Sequence, residues 1–179
     1  MINGEATNDW SGFSVSSAGD VNGDGLDDLI VGAWGADPSG KSEAGKSYVV
    51  FGKANGSAID LSTIANANNP LGGFVINGEA AGDQSGFSVS SAGDVNGDGL
   101  DDLIVSSYQA DPNGRLSAGK SYVIFGKTDT DAIDLTNLSG DSKYAIDYLG
   151  DKNANTLTGT SNDEIFVAGA CECVGVFIT

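Results

Sequence analysis

The chain has 179 residues, 27 of them glycine, and carries 25 acidic against eight basic side chains for a formal net charge of −17 with no histidine. Such an acidic chain is repelled by nucleic acid and anionic membrane, which argues against both as partners. It also contains no run of 18 or more apolar residues, so membrane insertion by a helix is excluded as well. The lack of histidine removes the commonest general base, and the glycine content points to a turn-rich β protein.

In chain order the first predicted element is a short strand over Phe13 to Ser17. It is followed by the run D-V-N-G-D-G-L-D-D at Asp20 to Asp28, a second strand at Leu29 to Ala33, a polar loop, a third strand at Tyr48 to Phe51 and a fourth at Gly73 to Asn77. The whole pattern then recurs. Without gaps and at a period of 74, residues 2–61 match residues 76–135 at 44 of 60 positions, with 21 consecutive identities beginning at Ser11. The D-V-N-G-D-G-L-D-D run returns unchanged at Asp94 to Asp102. Divergence concentrates in the polar loop, Trp34 to Glu43 against Tyr108 to Ser117, as befits a surface whose chemistry differs between units. Four short strands per unit predict an all-β chain of two propeller blades, residues 2–75 and 76–150.

The repeated run has the donor spacing of a calcium loop. A hard cation takes six to eight oxygen ligands. Asp20, Asn22, Asp24 and Asp28 offer side-chain oxygens and Leu26 a carbonyl; Asp94, Asn96, Asp98, Asp102 and the Leu100 carbonyl do the same in the second unit. Two calcium ions are expected, one per repeat, which would bring the charge to about −13. A helix-loop-helix site is excluded because its bidentate glutamate is replaced by Val31 and Val105, and strands flank the run. The alternative is a metal-free turn built from ordinary turn residues, disfavoured by repulsion among three closely spaced carboxylates.

The motif S-G-F-S-V-S-S-A-G-D-V-N-G-D-G-L-D-D-L-I-V-G-A, followed by A-G-K-S-Y-V-V-F-G, resembles the FG-GAP repeat of the integrin alpha-subunit propeller and its bacterial relatives. Phe51-Gly52 and Phe125-Gly126 occupy the Phe-Gly position and Gly32-Ala33 the Gly-Ala position, where the second unit has Ser106-Ser107. The resemblance implies a calcium-stabilised propeller used in extracellular adhesion or recognition. Its ligand is expected to be an extracellular protein or a carbohydrate; the alternative is a non-catalytic accessory array of a secreted hydrolase or toxin. Two blades leave open edges, so the chain is expected to be a fragment of a larger propeller or to self-associate through those edges.

Residues 151–170, with Leu157, Gly159, Asn162, Asp163 and Ile165, resemble the start of a haemolysin-type calcium-binding nonapeptide array. That resemblance implies export directed from the C-terminus, consistent with an N-terminus that lacks the basic and apolar regions of a signal peptide, and an extracellular or cell-surface location. Residues 171–179 continue neither pattern and hold the two cysteines, Cys171 and Cys173, too few for a zinc site. No nucleophile–base pair is evident, and the chain is read as non-enzymatic. Among the aromatics, Tyr48 and Tyr122 are expected in the core, whereas Trp34 and Tyr108, which open the divergent loop, are candidates to meet a ligand, with core or rim packing as the favoured alternative.

Overall fold

A computed structural model describes residues 1–66 and 72–138, together with the backbone of three short strands beyond. The strands of the first unit are β1 (Ile2–Asn3), β2 (Ser14–Gly19), β3 (Asp28–Ala33), β4 (Lys46–Val50) and β5 (Ile59–Asp60), and a single helical turn, α1 (Leu61–Ile64), follows. Then come β6 (Gly73–Asn77), β7 (Ser85–Gly93), β8 (Asp102–Ser107), β9 (Lys120–Ile124), β10 (Ile133–Asp134), β11 (Ala145–Leu149), β12 (Asn155–Thr156) and β13 (Val167–Ala168). The segments 151–170 and 171–179 lie outside the described residues except for the backbone of β12 and β13.

Each repeat folds into an antiparallel meander. The first runs β2-β3-β4-β6 and the second β7-β8-β9-β11, so all four strands expected of a blade are present in each. Strand β6 spans Gly73 to Asn77, so the repeat boundary at 75/76 falls inside the last strand of the first blade. The same strand joins the blades: Ile133 and Asp134 of β10 pair in parallel with Ile76 and Asn77. One period earlier, Ile59 and Asp60 of β5 pair identically with Ile2 and Asn3 of β1. The fold is all-β, two propeller blades with no closed ring among the described residues.

The two sheets pack face to face. Ala18, Val21, Ile30, Val49, Phe74 and Ile76 of the first blade form one apolar cluster with Val89, Leu103, Val105, Tyr122 and Ile124 of the second. Each such large side chain contributes about 1.5–3 kcal/mol on burial. A second cluster, Val31, Tyr48, Val50 and Val75, covers the other side of the first blade and is capped by Leu61 and Ile64 of α1. Asp60 caps that turn, its carboxylate accepting the Ser62 amide at 3.0 Å.

Candidate functional site

The repeated acidic loop closes the β2–β3 hairpin, and its copy closes β7–β8. Within the loop the side chains fold back on the backbone. One Asp20 oxygen accepts the Gly23 and Asp24 amides at 2.8 and 3.0 Å, and the other accepts the Gly25 amide at 2.9 Å. Asn22 accepts the Asp24 amide at 2.8 Å, and Asp24 accepts the Leu26 amide at 2.9 Å. Gly25 sits at φ 85, a conformation that a side chain would oppose. In the copy, Asp94 accepts from Gly97, Asp98 and Gly99, Asn96 from Asp98, and Asp98 from Leu100.

Asp28 and Asp102 differ from the rest. Each is fully buried at the first position of a strand. Asp28 accepts the Val21 amide at 3.0 Å and the Gly52 amide at 2.7 Å; Asp102 accepts those of Val95 and Gly126 at 2.9 and 2.8 Å. The Phe-Gly glycine is thereby explained, since the chain leaving β4 crosses the loop so closely that a Cβ on Gly52 would lie 2.6 Å from the Asp27 carbonyl oxygen.

Burial pushes the Asp28 carboxyl up to about 6; the two amide bonds oppose the rise, while the Asp24 and Asp20 charges add to it. Asp102 is raised for the same reasons. Asp83 and Asp9 are also raised, chiefly by burial and then by Glu79 and Glu5 respectively. The donor set is all oxygen, as a hard cation requires, and the acids lie near enough to repel one another. Among the described residues, however, no three acidic side chains converge as a metal-ligating group; the carboxylates face their own amides. Metal-free protein should consequently gain stability on mild acidification. In the interval from about pH 4 to 6 the native state binds more protons than the unfolded chain, so stability rises as pH falls through it, by about 1–3 kcal/mol in all. Thermal melts in EDTA should give a higher Tm at pH 5 than at pH 7, and a lower one would contradict this assignment.

Because β2 runs into the acidic loop and β3 runs away from it, Phe13 and Trp34 lie at the opposite end of the blade. There the aromatic residues form a strip across both repeats. Trp10 stacks on Trp34 with centroids 5.9 Å apart, Phe13 lies 5.0 Å from Phe87, and Phe87 lies 4.4 Å from Tyr108. Trp10, Phe13 and Tyr108 are exposed and Trp34 is half-buried. The divergent loops leave from this same end on a constant frame: Asp37 accepts the Glu43 amide at 2.7 Å and Asp111 the Ser117 amide at 2.6 Å.

Tyr48 and Tyr122 are fully buried, as expected. Sequence reasoning missed their partners. The Tyr48 hydroxyl and the Lys46 ammonium both donate to Glu5, and Tyr122 and Lys120 donate to Glu79. The signal was available, since the Glu, Lys and Tyr of this triad recur together at the period of 74.

The FG-GAP repeat family matches residues 11–50 and 85–124, and the chain therefore carries two FG-GAP repeats. It is 31% identical to integrin alpha-PS2 of Drosophila melanogaster over 70% of this chain and 8% of that protein. It is 34% identical to phosphatidylinositol-glycan-specific phospholipase D of Bos taurus over 64% of this chain and 13% of that one. Integrin alpha pat-2 of Caenorhabditis elegans matches at 30% over 68% of this chain and 9% of its own length. The matched region thus spans roughly a tenth of these relatives. No helix among the described residues is long and apolar enough to cross a membrane.

Proposed function

We propose that the chain is a calcium-stabilised propeller module of an extracellular or cell-surface protein, recognising a protein or carbohydrate through the end of the blades opposite its acidic loops. The observation that carries this reading is the division of labour between the two ends. One end holds the acidic loop, identical in both repeats and built from oxygen donors; the other holds exposed aromatics flanked by loops of constant frame and divergent side chains. Large rigid aromatics supply contact area at low entropic cost, for sugar rings as for protein surfaces.

Each ion would be held by Asp20, Asn22, Asp24, Asp28 and the Leu26 carbonyl, or by their counterparts Asp94, Asn96, Asp98, Asp102 and the Leu100 carbonyl. Calcium there would neutralise the repelling carboxylates and stiffen the hairpin ends without taking part in any reaction. With an affinity of about 10⁻⁴ to 10⁻³ M, the range used outside cells, 10 mM calcium would stabilise the native state by about 1.4–2.7 kcal/mol per site. Melting in 10 mM calcium should exceed melting in EDTA by several degrees, and Asp24→Asn with Asp98→Asn should abolish the difference. Equal melting temperatures in the two buffers would sink the calcium assignment.

Recognition is tested separately, by glycan-array and cell-binding measurements with Trp34→Ala and Tyr108→Ala variants whose calcium-dependent melting is intact. Retention of full binding by both would rule out the aromatic end. The similarity to phosphatidylinositol-glycan-specific phospholipase D favours one second reading, in which the repeats are a non-catalytic part of a larger secreted hydrolase.

A further inference from the structure

An asparagine followed by glycine is chemically unstable where the backbone can turn, because the glycine nitrogen, unhindered by a neighbouring Cβ, attacks the side-chain amide carbon. The chain holds six such pairs, beginning at Asn3, Asn22, Asn55, Asn77, Asn96 and Asn113. All but Asn55 are restrained by the fold. Asn3 and Asn77 lie in β1 and β6, where pairing keeps the backbone extended. In the two acidic loops the attacking nitrogens are engaged, that of Gly23 with Asp20 and that of Gly97 with Asp94, each at 2.8 Å. The Asn22 and Asn96 side chains are in turn tied to Asp24 and Asp98. At Asn113, held at φ 55, the Gly114 amide donates to the Asp111 carbonyl at 3.2 Å.

Asn55 differs on each count. It lies in the connection from β4 to β5, outside any strand, with Gly56 and Ser57 exposed beside it. The Gly56 amide donates to no group among the described residues, and a Cβ there would meet nothing within 4 Å, so no neighbour opposes rotation of the backbone. The Asn55 side chain already points along the chain toward the attacking nitrogen: its Oδ1 accepts the Ser57 hydroxyl and, at 3.3 Å, the Ser57 amide. The Lys53 ammonium donates to that hydroxyl oxygen at 3.2 Å and polarises it. An amide oxygen holding two hydrogen bonds, one reinforced by a cation, leaves its carbon electron-poor. The same two donors stand where negative charge develops on that oxygen during attack.

The second repeat shows what the position accepts. The counterpart of Asn55 is Asp129, whose Oδ1 accepts the Asp131 amide at 3.0 Å, as Asn55 accepts that of Ser57, and also receives the Lys127 ammonium. Lys127 is the counterpart of Lys53. Although Asp129 has the first blade beside it, its side chain is 44% exposed, so this position faces water in the covered setting as well. A carboxylate paired with lysine is therefore already accommodated at this point of the blade.

We propose that Asn55 is a site of spontaneous deamidation, activated by Ser57. The Gly56 nitrogen, having lost its proton to water, bonds to Asn55 Cγ, and the oxyanion so formed is held by the Ser57 amide and hydroxyl. The Cγ–Nδ2 bond then breaks, and the amide nitrogen leaves as ammonia with its two hydrogens and one proton from water. Water opens the resulting five-membered imide. Cleavage of the bond to Cγ gives aspartate, and cleavage of the bond to the backbone carbonyl carbon gives isoaspartate. The net change exchanges one ammonia for one water and places one negative charge beside Lys53. It involves neither the calcium loops nor recognition at the aromatic end.

The test is incubation of the full folded chain at mildly alkaline pH, with the six pairs resolved by fragmentation mass spectrometry that separates aspartate from isoaspartate. Asn55 should convert first. Ser57→Ala should slow conversion there about three- to tenfold, the effect of one net hydrogen bond on a barrier, and leave the rate at Asn113 unchanged. Gly56→Ala, whose added methyl meets no neighbour, should suppress conversion at Asn55 in a chain that stays folded. In urea, with the loop geometry lost, the six pairs should react at similar rates. Earlier conversion of any other pair in the folded chain overturns the proposal, as does an unchanged rate at Asn55 in Ser57→Ala. A preference for Asn55 that persists undiminished in urea overturns it too, and assigns the reactivity to local sequence alone.

Discussion

Replacing Gly45 by alanine should destabilise the protein by about 4 kcal/mol or more, whereas the same change at Gly119, its counterpart one repeat later, should cost about 1–2 kcal/mol. Both glycines occupy the left-handed region, at φ 82 and 77, and pay the same conformational penalty for a side chain. Their surroundings differ. A Cβ on Gly45 would lie 2.0 Å from the carbonyl oxygen and 2.6 Å from the amide nitrogen of Ser85, where the turn before β4 rests on the start of β7. A Cβ on Gly119 meets nothing nearer than the Tyr108 carbonyl at 3.3 Å. Relief at Gly45 requires the blades to part, and with them the Ser85 amide bond to Ala44 and the Gly78 amide bond to Gly45, each 2.9 Å. Against a total stability of about 5–15 kcal/mol this loss is large. Urea unfolding of the two variants at concentrations below any self-association gives the comparison. Equal losses would mean that the seam yields easily and that the blades are not one cooperative unit.

The blade strands were legible because their signal is local. Alternating small and apolar residues bounded by Asp, Asn and Gly placed a strand over Phe13 to Ser17 where β2 runs from Ser14 to Gly19, and one over Leu29 to Ala33 where β3 begins one residue earlier. The two-residue strands β5 and β10 and the turn α1 were not legible. Ile59-Asp60 has no periodicity of its own, and it pairs only because Ile2-Asn3 passes beside it. Spacing also treated every aspartate of the acidic run alike. The fold separates them, since Asp20 and Asp24 stay in the hairpin loop while Asp28 enters the sheet and meets an amide from 24 residues away. Asp27 and Asp101 are identical in local sequence, yet among the described residues it is Asp101 that binds a neighbouring blade, accepting the Asp20 amide. A tandem repeat makes local structure readable twice over and leaves the contacts between units to be found in three dimensions.

Within each repeat a carboxylate also meets a buried tyrosine, and the removal of the one in the second repeat should carry the second large effect. Glu79→Ala should cost about 2–3 kcal/mol, Glu79→Gln about 1 kcal/mol, and Glu79→Ala combined with Tyr122→Phe less than the sum of the two single changes. The Tyr122 hydroxyl is fully buried with its ring and donates to the Glu79 carboxylate at 2.7 Å. Lys120, its side chain 11% exposed, donates to the same oxygen. Alanine leaves the hydroxyl without this acceptor and the ammonium without its counter-charge, while glutamine keeps an acceptor for the tyrosine. The estimate stays at the lower end for a buried pair because Glu79 is about a third exposed and water can reach it. Burial alone would raise the Glu79 carboxyl, but the bonds from Lys120 and Tyr122 and the Lys120 charge outweigh it and hold it below the usual carboxylate range. A carboxylate depressed in the folded state contributes stability above its unfolded pKa and loses it as pH falls through the folded one. The deficit of Glu79→Gln relative to wild type should therefore be full at pH 7 and shrink below about pH 4. A deficit unchanged down to pH 3 would show that Glu79 acts through shape and hydrogen bonding rather than through charge.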